Sequence, residues 1–335
     1  MEPRDTPPRP PTARQRKQLQ RRRNGLSEQG LEKHLNNVST LLSELAAPDG
    51  AQPPADLRLR TGFSYRGSVP IDASDRKAPP REQRPPATRV SSSQGSTLGF
   101  LLTLLALVQW RRRLGAKANL GEFGLDVAGS SGRPGWADLV GRTAADAHNG
   151  NYMSSSRDKR ARMVRSCLRT LKKAGLVDIA SFSGRAQYGN FTLLNETGRE
   201  AVGELEEYKV PGRGDMCFSL PFDFVRNGWV HVLADSEIAV LLMVACAQGS
   251  WVDDGLVAIP AGVRLGNYGI HRDPFSSALK TLQWFGLLEV REVGRHTDGR
   301  AEEDERMLHR LGLKPAGFAS PAVAVMREAL GTQLS

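Results

Sequence analysis

A twelve-residue pattern that occurs twice is the strongest constraint on the fold of this chain. Residues 168–179 read LRTLKKAGLVDI and residues 279–290 read LKTLQWFGLLEV, an offset of 111 residues. In each copy, apolar residues at helical spacing precede a glycine and alternating apolar residues follow it. Because glycine takes the left-handed conformation that ends many helices, each copy predicts a helix that stops at the glycine and continues as a strand.

The first copy closes a longer helix, predicted from about residue 155. Ser155 is the predicted N-cap with Asp158 three residues later, and Gly175 is the predicted stop. One face of this helix is apolar: Val164, Cys167, Leu168 and Leu171. The other face is cationic: Arg162, Arg165, Arg169, Lys172 and Lys173. A hairpin is predicted after it, with strands at about 177–181 and 190–194 and a turn at 183–185.

This helix ending and its hairpin resemble a known superfamily. The form L-x-x-L-x-x-x-G-L-[VL] followed by a hairpin resembles the recognition helix and wing of bacterial winged-helix DNA-binding domains. Two such units in one chain resemble the tandem arrangement of plasmid replication initiators and of some transcription regulators. The resemblance covers about residues 97–313. It implies that a helix enters the major groove and that the hairpin contacts the DNA backbone.

The predicted fold class is α+β, mostly α, with two tandem winged-helix domains after a largely disordered basic N-terminal region. A Pro-rich and then basic start predicts disorder, a leucine stripe predicts a helix, and a stretch with few aliphatic residues predicts a linker. The predicted segments are a disordered basic arm at 1–25, an amphipathic helix at 26–47, a disordered linker at 48–96, winged-helix domain 1 at 97–210, winged-helix domain 2 at 211–315, and a C-terminal tail with a short helix at 316–335.

Further elements are predicted inside the two units. Asp273 is the predicted N-cap of the second recognition-like helix, with Pro274 at its first position. A strand-like stretch is expected over 217–232 and a short strand near 257–259. The other predicted helices span about 97–114, 136–147, 197–208, 235–247 and 260–268.

The net charge of +10 is unevenly distributed. Residues 1–96 carry 17 basic and 10 acidic groups, residues 97–175 carry 14 and 5, and residues 176–335 carry 15 and 21. The positive field therefore belongs to the N-terminal region and the first unit. A polyanion is the expected partner.

Double-stranded DNA is the polyanion that the resemblance implies, and the candidate contacts lie mainly on the first unit. We expect five side chains to reach the groove: Arg157, Lys159, Arg160, Arg162 and Arg165. We expect Ser155 and Ser156 at the helix start, Arg169 and Lys173 near the backbone, and Arg185 with Tyr188 at the wing. The second unit offers a less cationic set: Arg272, Ser277, Lys280 and Arg295.

Other classes of function have little support in the sequence. The apolar run at 98–108 is about 11 residues long, whereas a membrane span needs about 18 to 20. Cys167, Cys217 and Cys246 are scattered, which favours unpaired cysteines in a reducing cytoplasm. No phosphate-binding glycine loop, nucleophile elbow or paired-histidine zinc motif occurs. We therefore expect no cofactor, no bound metal, no enzyme activity and no membrane association.

Three roles remain open from the sequence. A sequence-specific transcription regulator, of a mobile element for example, is the first, and a plasmid or phage replication initiator that binds origin repeats is the second. A structural or protein-interaction module is the third, and a homodimer or protein contact would use residues 26–47 or the second unit. Both DNA-binding roles imply a cytoplasmic, nucleoid-associated protein.

Overall fold

The computed structural model of this chain describes residues 4–5, 10–28, 30–67, 78–92, 96–130, 132–141, 147–149, 152–179, 188, 190–198, 200–201, 204–247, 255–292 and 309–335. It is an α+β structure, mostly helical, with small antiparallel sheets. The helices are α1 Ala13–Leu26, α2 Leu31–Ala46, α3 Thr61–Ser64, α4 Pro86–Val90, α5 Thr97–Arg111, α6 Ser156–Lys173, α7 Asp223–Arg226, α8 Trp229–Val232, α9 Asp235–Ala247, α10 Ala261–Gly266, α11 Arg272–Trp284 and α12 Ala322–Leu334. The strands are β1 Arg4–Asp5, β2 Asp56–Arg60, β3 Ala147–Asn149, β4 Tyr152–Ser154, β5 Val177–Ile179, β6 Phe191–Leu193, β7 Glu200–Ala201, β8 Glu204–Leu205, β9 Cys217–Pro221, β10 Val257–Ala258, β11 Leu288–Glu292 and β12 His309–Leu313.

Residues 235–313 follow the order helix, strand, helix, helix, hairpin, given by α9, β10, α10, α11 and the β11–β12 pair. The sheet has the order β10, β12, β11, with β1 on its outer edge. The predicted helices at 235–247 and 260–268 and the short strand near 257 are confirmed. The prediction of Asp273 as the N-cap of α11 is wrong, because the helix already begins at Arg272 and His271 is its N-cap. Pro274 is tolerated there, since the first-turn amides need no helical partner.

The first unit contains α5, 3₁₀ turns at Leu120–Phe123 and Trp136–Leu139, α6 and the β5–β6 hairpin, together with β3, β4, β7 and β8. Both predicted glycine stops are confirmed, with φ of 69° at Gly175 and 70° at Gly286. The predicted helix at 136–147 is wrong, because only Trp136–Leu139 form a 3₁₀ turn, Val140 is extended and Ala147 begins β3; residues 142–146 lie outside the described residues. Its apolar spacing reflects burial of the turn against α6.

Two further secondary-structure predictions are wrong. The acidic segment predicted as a helix at 197–208 holds the antiparallel pair β7 and β8. Beyond that pair, Tyr208 and Val210 are buried on alternate positions, which is strand spacing. In the range 217–232 only β9 is a strand, because the chain turns into α7 and then, after Gly228 at φ 81°, into α8.

The N-terminal region is folded where the structure describes it, so the predicted disorder at 1–25 and 48–96 is wrong for those residues. Thr12 and Gln15 form a capping box that starts α1. Strand β2 pairs with β9 along its whole length, and its Leu57 and Leu59 side chains are fully buried. Each segment packs through a few buried apolar residues, Leu19 and Leu26 in α1 and Leu57 and Leu59 in β2. The average composition of these segments is polar, so it did not indicate that they are ordered.

The amphipathic helix predicted at 26–47 is confirmed as α2. Its apolar stripe, however, packs against α5 and the 136–139 turn of its own chain. The buried residues of this stripe are therefore occupied within the chain, so they are not open to the homodimer or protein contact that was one possibility for residues 26–47.

The segment predicted as a C-terminal tail also belongs to the core. Phe318 and Met326 are fully buried, and Trp229 Nε1 donates hydrogen bonds to the carbonyls of Phe318 and Ser320 at 3.3 and 3.2 Å. One continuous apolar cluster includes α5 and α9, and both helices are buried over nearly their whole length. Among the described helices, none has both the length and the apolar character that a bilayer crossing requires.

Candidate nucleic-acid interface

The start of α6 is fixed by the two residues predicted to cap it. The Ser155 hydroxyl accepts a hydrogen bond from the Asp158 amide at 3.1 Å and donates one to the Asp158 carboxylate at 2.8 Å. The hydrogen bond from Ser155 is the largest cause of a lowered Asp158 pKa. The carboxylate is therefore ionised at the positive end of the helix, where a negative charge is favourable.

The body of α6 separates apolar from cationic residues as predicted. Ala161, Val164, Cys167, Leu168 and Leu171 are buried. Arg162, Arg169 and Lys173 are exposed and Arg165 is partly exposed, at spacings of three and four residues. We call these four residues the cationic stripe. They lie on one outward face of the helix, while Lys172 turns aside and donates to the Ile179 carbonyl at 2.8 Å.

Two of the arginines predicted to reach a DNA groove are held by the protein itself. Arg157 binds the Asp138 carboxylate at 2.8 Å and the Ser130 carbonyl at 3.0 Å. Arg160 lies 3.8 Å from the other Asp138 oxygen, with only 14% of its side chain exposed. Both therefore connect α6 to the 136–139 turn, and the outward surface of the helix belongs to the stripe. Ser156 and Lys159 are half-buried beside them.

The hairpin after α6 pairs Val177 with Leu193 and Ile179 with Phe191. Tyr188 is half-buried and packs against the core, so only part of its ring is available to a ligand. Arg185, the predicted wing contact, lies outside the described residues.

The second unit presents a weaker version of the same surface. On α11, Arg272 and Ser277 are exposed and Lys280 is half-buried. Thr281 of the same helix is buried, and its hydroxyl donates to a Glu237 carboxylate oxygen at 2.6 Å. Arg295 lies outside the described residues. Within the described residues of the two units, a continuous cationic helix face is therefore found on α6 and not on α11.

A cleft of about 610 Å³ opens beside the stripe, between residues 81–92 and α6. Among the described residues that line it, the cations are Arg81, Arg89, Arg169 and Lys173, and the one acid is Glu82. Arg81 and Arg89 were missed by the sequence analysis because they fall in the segment predicted to be a linker. The proline pair at Pro85 and Pro86, which starts α4, was the signal for order there.

The described residues contain no group of three or more His, Cys, Asp or Glu side chains able to hold a metal ion. No protein-family model, curated protein or solved structure matches this chain.

Proposed function

We propose that this chain binds double-stranded DNA through α6 and acts as a sequence-specific bacterial transcription regulator. The observation that carries the proposal is the cationic stripe, which lies on an 18-residue helix whose opposite face is buried in the core. A helix of this length fits the major groove, and arginine is the side chain that most often reads guanine edges. The proposal implies a cytoplasmic, nucleoid-associated protein.

The order of elements supports a winged-helix interpretation. Residues 235–313 follow helix, strand, helix, helix and hairpin, which is the order expected for such a domain, and α5, the 136–139 turn, α6 and the β5–β6 hairpin give a shortened version. In this arrangement α6 is the recognition helix and the β5–β6 hairpin lies beside the DNA backbone. Because α11 carries less positive charge than α6, the second unit contributes less to DNA binding in this proposal.

The proposal is tested by selecting bound sequences from random duplex DNA with the full chain. We expect a discrete motif from the wild type and its loss when Arg162 and Arg165 are both replaced by alanine. Each single substitution should cost about 1–3 kcal/mol if the side chain is bidentate to a base. With five to eight phosphates neutralised, log K should fall with log salt with a slope of roughly −4.5 to −7.

Arg157→Ala is the matched control, because this arginine belongs to the same helix but is bound to Asp138. The Arg157→Ala variant should select the same DNA motif as the wild type, but its melting temperature should be lower. Salt-sensitive binding with no motif would remove sequence specificity from the proposal, and absence of any duplex binding would overturn it. A motif in repeated copies with melting of adjacent DNA would instead assign the replication-initiator role, which two units in one chain also suit.

A further inference from the structure

The cleft beside α6 has an excess of positive charge that the described residues do not balance. Arg81, Arg89, Arg169 and Lys173 line it, and none of them forms an ion pair with a residue that the structure describes. Arg81 donates instead to the main-chain carbonyls of Arg89 at 2.7 Å and Ser91 at 3.0 Å. The cleft is therefore a concentrated positive site beside the proposed DNA-binding surface.

Arg89 is the most informative of these cations. It is half-buried, and its Nε is fully enclosed without a hydrogen-bond partner within the described part of the chain. Its guanidinium lies against the backbone of Gly198, where an added Cβ would be 2.9 Å from Nη2. Burial, followed by the nearby charge of Arg66, lowers the pKa of Arg89, and the charge of Glu82 opposes this only in part. Glu82 forms no ion pair with Arg89 within the described residues, so this enclosed charge is only partly balanced and a bound anion would compensate it.

The rest of the lining suits a phosphate group. Ser92 and Ser166 contribute hydroxyl groups, whereas the Thr170 hydroxyl already donates to the Ser166 carbonyl at 3.0 Å. Ser96 and Thr97 bring the N-terminal end of α5 to the cleft. Guanidinium groups, hydroxyls and helix-start amides are the donors that phosphate oxygens accept from. The volume of about 610 Å³ also falls within the usual range for ligand sites.

We propose that this cleft binds a phosphate group, with Arg89 as the deep contact and with Arg81, Arg169 and Lys173 around the opening. The phosphate can come from the backbone of a duplex that lies along α6, or from a free phosphorylated molecule. Arg169 and Lys173 belong to both the stripe and the cleft, so the cleft adjoins the proposed DNA-binding surface. Only the first source rests on the proposed function.

The first experiment contains no DNA and uses pyrophosphate as the probe on the full chain. Pyrophosphate should raise the melting temperature of the wild type above that in sodium chloride of equal ionic strength, because a ligand of the native state stabilises it. Arg89→Met should abolish this rise and weaken pyrophosphate binding in calorimetry by at least about tenfold. Arg84→Met should keep the rise, since Arg84 is a partly buried arginine of the same segment outside the cleft lining.

A second variant tests the proposal in case Arg89→Met does not fold. Arg169 and Lys173 are exposed, so their joint replacement by alanine should leave the fold intact and still reduce the pyrophosphate effect. The proposal is overturned if pyrophosphate acts no differently from chloride on the wild type, or if Arg89→Met retains the full rise.

The second experiment measures duplex binding by the same variants. Weaker duplex binding by Arg89→Met, together with competition by pyrophosphate, assigns the cleft to the DNA backbone. Unchanged duplex affinity with lost pyrophosphate binding assigns it to a free phosphorylated molecule. If the wild type binds no duplex at all, the proposed function fails while the pyrophosphate result still decides this inference.

Discussion

His231 is a histidine that the fold keeps neutral. It borders a cavity of about 270 Å³ that Arg22 and Asp235 also line, and the backbone of Gly141 passes so close that a Cβ there would lie 2.3 Å from the His231 Cβ. Burial, and then the neighbouring His34, lowers the pKa of His231 to about 4. Because the native state disfavours the protonated form, stability is complete above the ordinary pKa of 6.5 and is lost as the pH falls towards 4.

Acidification from pH 7 to pH 5 is therefore expected to destabilise the protein. The contribution of His231 should be about 1–2 kcal/mol, since the unfolded state binds a proton that the native state does not. Urea unfolding at the two pH values measures it. In His231→Leu the difference between pH 7 and pH 5 should shrink by that amount, and an unchanged difference would show that other groups, such as His34, carry the dependence.

At the scale of single residues, the sequence predicts those features that depend only on the spacing of neighbouring residues. Ser155, Gly175 and the stripe follow from capping and from helical periodicity, and the structure has them as predicted. The pairing of Arg157 with Asp138 was not predictable, because the acid lies in a separate turn. The hydrogen bond from Thr281 to Glu237 was not predictable for the same reason, because the two residues lie on different helices, 44 positions apart in the sequence.

At the scale of elements, α5 depends on a close approach to α8. Gly99 lies in the first turns of α5, where an added Cβ would be 2.7 Å from the carbonyl oxygen of Val230. That contact is to backbone, which cannot rotate away as a side chain can. The glycine is therefore required by packing, even though its helical position disfavours glycine.

Gly99→Ala is expected to lower the free energy of unfolding by about 1–3 kcal/mol through overpacking. Gly25→Ala is the matched control, because Gly25 also lies in a helix, α1, and has no atom within 4 Å of an added Cβ. That change should stabilise the protein by about 0.5–1 kcal/mol. Denaturant midpoints of the two variants should move in opposite directions, and a shift of the same sign in both would contradict the packing argument.

Elements were predictable when their signal was long and local. The helices α2, α5, α6, α9 and α11 were found by their apolar spacing, whereas the 14-residue α1 was missed because Leu19 and Leu26 are its only buried residues. Strand β2 was missed, although its sequence DLRLR alternates, because its pairing partner β9 lies more than 150 residues away. Short turns such as Trp136–Leu139 were also misassigned, since burial of a few residues imitates a helical pattern.

At the scale of the whole molecule, a buried ionic contact joins three distant helices. Arg22 of α1 makes two contacts of 2.6 Å with Glu237 of α9, which also accepts from Thr281 of α11. Burial by itself raises the pKa of the Glu237 carboxyl, but the Arg22 charge and these hydrogen bonds hold it below its ordinary value. Arg22 also covers the Phe285 ring at 5.1 Å.

Arg22→Met should lower the free energy of unfolding by about 3 kcal/mol, because it leaves Glu237 buried without its cation. Adding Glu237→Gln should recover a large part of this loss, since no uncompensated charge then remains. Chemical unfolding of the wild type, both single variants and the double variant measures the coupling. Strictly additive losses would show that the two side chains do not depend on each other.

The contact between α1 and α12 sets an order of events during synthesis. Arg327 of α12 donates to the Leu26 carbonyl at 2.9 Å and pairs with Glu32 at 2.7 Å. Nearly 300 residues separate the end of α1 from the start of α12, which corresponds to roughly 15 to 60 seconds of translation at the usual rate. A nascent chain on the ribosome therefore carries the basic α1 for that interval before its packing partner has been made.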